Sequence, residues 1–133
     1  MLPFYYEELH QFSLELINAS CRADKEAVKN SYKDIFDLCQ YYKGTEEDHP
    51  FQWETLADFT DEIEKAIDYY RIGLNLAINQ NLKEYEASIS IGLGKLLKDS
   101  NELVEASDLF KKAKIICEEL GGQELIESLK DLI

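Results

Sequence analysis

Apolar side chains recur three and four positions apart along nearly the whole chain, which is the period of helices with one buried face. Tyr5, Leu9, Phe12 and Leu16 make the first stripe and predict a helix over about 3–19, with Pro3 suited to its first turn. Val28, Tyr32, Ile35, Cys39 and Tyr42 make the second, with Asp24 placed as N-cap and Gly44 as stop. The polar run Thr45–Pro50 is a loop, and a short helix over 50–59 follows it. Ile63, Ala66, Ile67, Tyr70, Leu74 and Ala77 then form a strong stripe, with Thr60 as its candidate cap and Asn79-Gln80-Asn81 as its end. Two further helices span about 82–99 and 102–120, separated by the turn and capping residues Asp99-Ser100-Asn101. A last short amphipathic segment, 124–133, carries Leu125, Ile126, Leu129 and Leu132 and is placed to cap an open end of the stack. The pattern predicts an all-α protein of six or seven helices in antiparallel hairpins. It forms one domain over 1–133, with an N-terminal hairpin over 1–44, two repeat-like units over 50–120 and a capping helix over 123–133.

Small residues sit where two of these helices must touch: Gly92 and Gly94 in one, Ala106 and Ala113 in the next, with Leu97 and Phe110 filling the space beside them. Ala66, Tyr70, Gly73 and Leu76 precede Ala106, Phe110, Ala113 and Ile116 by forty positions in matching size classes, an internal repeat in which Trp53 would stand in place of Leu93. The spacing of Leu93-Gly94, Leu97, Ala106, Phe110 and Ala113 resembles the tetratricopeptide repeat, whose period is about 34 residues. The resemblance is good over Ala87–Leu120 and loose over Phe51–Gln80, and departs from the family pattern at Ser90 and Glu118. It implies a short solenoid whose stacked hairpins offer a concave face to a peptide or protein. The lysine–asparagine clamp some members use for acidic C-termini is missing, since Ile91 and Lys95, and Phe51 and Thr55, occupy the corresponding positions.

Composition narrows the ligand. With 27 acidic and 14 basic residues and a net charge of −13, the surface repels nucleic acid and anionic lipid. The same charge serves solubility, or encounter with a basic partner. Cys21, Cys39 and Cys117 are far apart with no CxxC pair, and read as buried free thiols in a reducing compartment. No basic-then-apolar leader and no run of about 18 apolar residues occurs, so a cytoplasmic location and no membrane partner are expected.

Catalysis lacks its parts. His10 and His49 have no partnering pattern and read as surface residues, and no metal-ligand spacing or phosphate loop is present, so neither an enzyme nor a cofactor is expected. What stands out is the segment 46–68, where Glu46, Glu47, Asp48, Glu54, Asp58, Asp61, Glu62, Glu64 and Asp68 face the single base Lys65. Phe51 and Trp53 are interleaved with them; Trp53 suits a binding anchor and a core position equally well. The expected partner-binding residues are Glu46, Glu47, Asp48, Phe51, Trp53, Glu54, Asp58, Asp61 and Glu62, with Tyr5 and Tyr6 as a secondary edge. The N-terminal FYYEELHQFSLELINAS, the HPFQWETLADFTDEIEKAIDYY segment and the single terminal repeat are similar to small acidic bacterial tetratricopeptide proteins of polymorphic toxin loci. That resemblance implies an immunity protein, monomeric or homodimeric, that binds and neutralises a basic toxin domain. The alternative is a peptide-binding adaptor or secretion chaperone in which Ile91, Lys95 and Lys98 matter more.

Overall fold

The computed structural model describes residues 2–130, apart from the side chains at 125, 126, 128 and 130. It contains α1 (Tyr6–Cys21), α2 (Lys25–Tyr42), α3 (Pro50–Asp58), α4 (Ile63–Asn79), α5 (Lys83–Asp99), α6 (Leu103–Leu120) and α7 (Gln123–Lys130), and no strand among the described residues. Each helix packs on the next in chain order, and α3 also touches α5. The all-α class and the helix positions agree with the hydrophobic periodicity. The first helix starts later than Pro3, whose carbonyl instead accepts Tyr6 N–H at 3.0 Å in a preceding turn.

Four helices stop by one device. After α1, α4, α5 and α6 a residue takes positive φ: Ala23 at 55°, Asn81 at 57°, Asn101 at 66° and Gly121 at 73°. The following N–H then reaches back five residues: Asp24 to Ala19 at 2.9 Å, Leu82 to Ala77 and Glu102 to Leu97 at 2.8 Å, and Gly122 to Cys117 at 2.9 Å. This is the Schellman arrangement, which satisfies the last carbonyls and turns the chain within two residues. Asn101 thus contributes its backbone, and Glu102 at the N-cap position of α6 makes no side-chain cap bond. Asp24 does cap α2, accepting Ala27 N–H at 3.1 Å. Thr60 does not cap α4: its hydroxyl donates to Leu56 O and meets Tyr32 Oη, both at 2.7 Å, and the helix begins three residues later.

Two apolar clusters result. Leu9, Ile35, Cys39, Trp53 and Leu56 centre the first, between α1, α2 and α3; Leu93, Phe110, Ala113, Cys117 and Leu129 centre the second. Tyr69 packs against both. A Cβ built on Gly94 would lie 2.5 Å from Phe110 Cε1, so the α5–α6 crossing is as close as the small residues suggested. Trp53, Leu56 and Ala57 share the burial of Ser90, Leu93 and Gly94, which aligns Trp53 with Ser90 rather than with Leu93. Leu129 of α7 is buried in the second cluster; Leu132 and Ile133 lie outside the described residues, as do the side chains of Leu125 and Ile126.

Candidate functional site

The acid-rich segment does not form one surface. Asp48 is buried: its Oδ1 accepts Gln52 Nε2–H at 2.8 Å and Trp53 Nε1–H at 2.7 Å, and its Oδ2 accepts Gly44 N–H at 2.9 Å. Its carbonyl accepts Gln80 Nε2–H from the end of α4 at 2.8 Å. Trp53 has no exposed surface, and the Tyr5 hydroxyl sits between Glu47 O, 2.7 Å away, and Gln52 Oε1. Tyr5, Asp48 and Trp53 are therefore internal structure and not partner contacts, because every polar atom they bury is satisfied by the chain itself. His49 is buried too, its Nδ1 accepting Phe51 N–H at 3.0 Å as the N-cap of α3, which corrects the surface reading. Of the thiols, Cys39 and Cys117 are buried as expected but Cys21 is exposed.

Other members of the predicted set do meet, on the side where α1, α3 and α5 lie next to one another. Tyr6 stacks on Phe51 with ring centroids 5.1 Å apart, and Phe51 meets Tyr85 at 6.1 Å, so three half-buried rings cross three helices in a row. Exposed His10 extends the row, parallel to Tyr6 at 5.8 Å. One turn along α3, Glu54 and Asp58 line a pocket of about 390 Å³ with Tyr70, Ser88, Ile91 and Lys95. Ser88 Oγ donates to Glu54 Oε2 at 2.5 Å, and the Tyr70 hydroxyl donates to Asp58 Oδ1. Burial raises the Glu54 carboxyl to about 7; the Ser88 bond opposes the shift and the Asp58 charge adds to it. Burial and the Asp58 carboxylate push the Tyr70 phenol well above its ordinary range, so it stays a donor.

The remaining acids fall elsewhere. Glu46 and Glu47 are exposed on the loop 43–49. Asp61 and Glu62 edge a groove of about 450 Å³ between the first hairpin and the α3–α4 turn, whose apolar wall includes Val28, Tyr32, Phe59 and Tyr69. Lys65 and Lys29 share that edge, and Lys65 pairs with Glu62 at 3.3 Å. The sequence reading missed Tyr85 and Ser88. Their signal was present: each stands 34 positions after a residue it touches, Phe51 and Glu54.

Nothing among the described residues assembles three or more His, Cys, Asp or Glu for a metal ion, and no helix there is long and apolar enough to cross a membrane. No family model matches the chain, and neither the curated proteins nor the solved structures contain a match. The residues brought together are half-buried aromatics, carboxylates and hydroxyls on a helical face.

Proposed function

We propose that this chain is a non-catalytic protein-binding module of the tetratricopeptide kind, and that it acts as an immunity protein by holding a basic toxin domain in the cytoplasm. The observation that carries the reading is the face of α1, α3 and α5. Its aromatic row lies one turn from the Glu54 and Asp58 carboxylates of α3, with Lys95 of α5 lining the same pocket. Such a face is complementary to a basic surface, and tyrosine and phenylalanine supply contact area at low entropic cost. The tetratricopeptide assignment is supported by the stacking distance: Glu54 bonds Ser88 and Arg71 pairs with Glu105, each across 34 residues, the usual period of that repeat.

Inhibition would be stoichiometric, the carboxylates occupying a surface built for phosphates. Co-expression with the product of the adjacent upstream reading frame tests this: growth should be restored when both are made. Continued killing by that product despite soluble, folded chain would overturn it. A second reading, an adaptor or secretion chaperone, is favoured by Ile91 and Lys95, which line the pocket between α3 and α5. It predicts a secreted, non-toxic partner.

A further inference from the structure

We infer that the pocket between α3 and α5 seats one cationic side chain of the partner, an arginine or lysine, between the Glu54 and Asp58 carboxylates, while the Tyr6–Phe51–Tyr85 row carries the adjoining segment. This deepens the proposed function and rests on its basic protein partner.

Three features converge on that occupant. First, both carboxylates are held in place from behind, Glu54 by Ser88 and Asp58 by Tyr70. A preset pair of acceptors loses little freedom when it takes up a guanidinium. Second, the pair is left without an ion pair. Lys95 lines the same pocket, yet neither carboxylate makes an ion pair among the described residues, although Lys33, Lys65, Arg71 and Lys83 all do elsewhere. Glu54 is half-buried without a counter-charge, which lowers the stability of the fold, while Asp58 stands exposed at the pocket rim, and a partner's cation would satisfy both. Third, the half-buried rings of Phe51 and Tyr85 stand one turn before Glu54 and Ser88 on the same two helices, so apolar surface for the stem of a long cationic side chain adjoins the carboxylates. A divalent ion fits worse, because among the described residues the two carboxylates on successive turns of one helix have no third acidic or imidazole ligand.

Occupation must be linked to a proton. The groups facing Glu54 are Asp58 on its own helix, Tyr70 on α4, and Tyr85, Ser88 and Lys95 on α5. Free Glu54 titrates near 7, and a seated cation favours its ionised form, so binding releases a proton below that pH. If the seated cation returns Glu54 to the ordinary carboxylate range, affinity falls about 30-fold from pH 8 to pH 5.5.

The test uses the full chain and a labelled peptide, Gly-Ala-Arg-Ala-Arg-Ala-Arg-Ala-Gly, with a second in which citrulline replaces each arginine, followed by fluorescence anisotropy at physiological salt. The arginine peptide should bind at pH 8 at least tenfold more tightly than the citrulline peptide, and lose most of that affinity at pH 5.5. Glu54→Gln should weaken it about tenfold and flatten the pH profile, whereas Glu118→Gln with Glu119→Gln on α6 should change nothing. Equal loss in both variants, or none in Glu54→Gln, overturns the pocket and leaves general attraction to an acidic protein. Toxin rescue that survives Glu54→Gln would sink this inference and spare the proposed function. A Glu54-dependent peptide complex without toxin rescue would do the reverse.

Discussion

The Trp53 indole donates to Asp48 Oδ1 at 2.7 Å inside the protein, and the same carboxylate receives Gln52 of α3 and the Gly44 backbone at the end of α2. An acid that resembles a binding residue in the sequence is thus the pin that fixes the α2–α3 connection. Asp48→Asn replaces one acceptor oxygen by an NH2 and leaves at least one buried donor without a partner, a loss of about 1–3 kcal/mol. Glu46→Gln and Glu47→Gln, on the exposed loop, should stay within about 0.5 kcal/mol of the parent. Urea denaturation of the three variants decides this; equal stabilities would remove Asp48 from the core.

Glu54 makes the opposite prediction. Its folded value of about 7 lies above the ordinary 4.5 because burial disfavours the charged form, so the fold opposes its ionisation. Stability is greatest while the group is protonated in both states, falls as pH rises from the unfolded value to about 7, and stays reduced above it. Glu54→Gln should therefore stabilise the protein at pH 8 by about 1–3 kcal/mol and have little effect at pH 4.5. Thermal melts of both proteins across that range measure it. A variant less stable at pH 8 would mean that the carboxylate supports the fold.

The α5–α6 crossing leaves no room for a methyl group. Gly94→Ala would press on Phe110, which is 1% exposed, at a cost of about 1–3 kcal/mol, partly offset by roughly 1 kcal/mol of helix propensity. In a Phe110→Leu background the same substitution should become neutral or stabilising. A double-mutant cycle reads the coupling, and additivity within about 0.3 kcal/mol would show that the helices are further apart.

Ala23 holds φ at 55° in the α1 Schellman turn, where Asn or Gly stands in the equivalent turns after α4, α5 and α6. Ala23→Gly should raise stability by about 1 kcal/mol, since relief of the left-handed strain outweighs the added freedom of the unfolded chain. A fall in the denaturation midpoint would contradict that geometry.

These cases show why the helices were legible in the sequence and the site was not. Stripes such as Ile63, Ala66, Ile67 and Tyr70 report a buried face through spacing alone. Whether Trp53, Asp48 or His49 faces solvent depends on partners from three separate segments, which no local pattern contains. Helical periodicity then scatters neighbouring acids: Glu54 and Asp58, four apart, share a pocket, while Asp48 turns inward and Asp61 edges a different groove. The 34-residue separation of Phe51 from Tyr85 and of Glu54 from Ser88 was the one long-range signal that pointed at the face.

The most direct measurement is the protection of growing cells by three forms of the chain against the product of the upstream reading frame. Wild type and Glu118→Lys with Glu119→Lys should protect, and Glu54→Lys with Asp58→Lys, folded by circular dichroism, should not. Protection by all three forms would remove the α1–α3–α5 face from binding. Protection by none, wild type included, would contradict the immunity function itself.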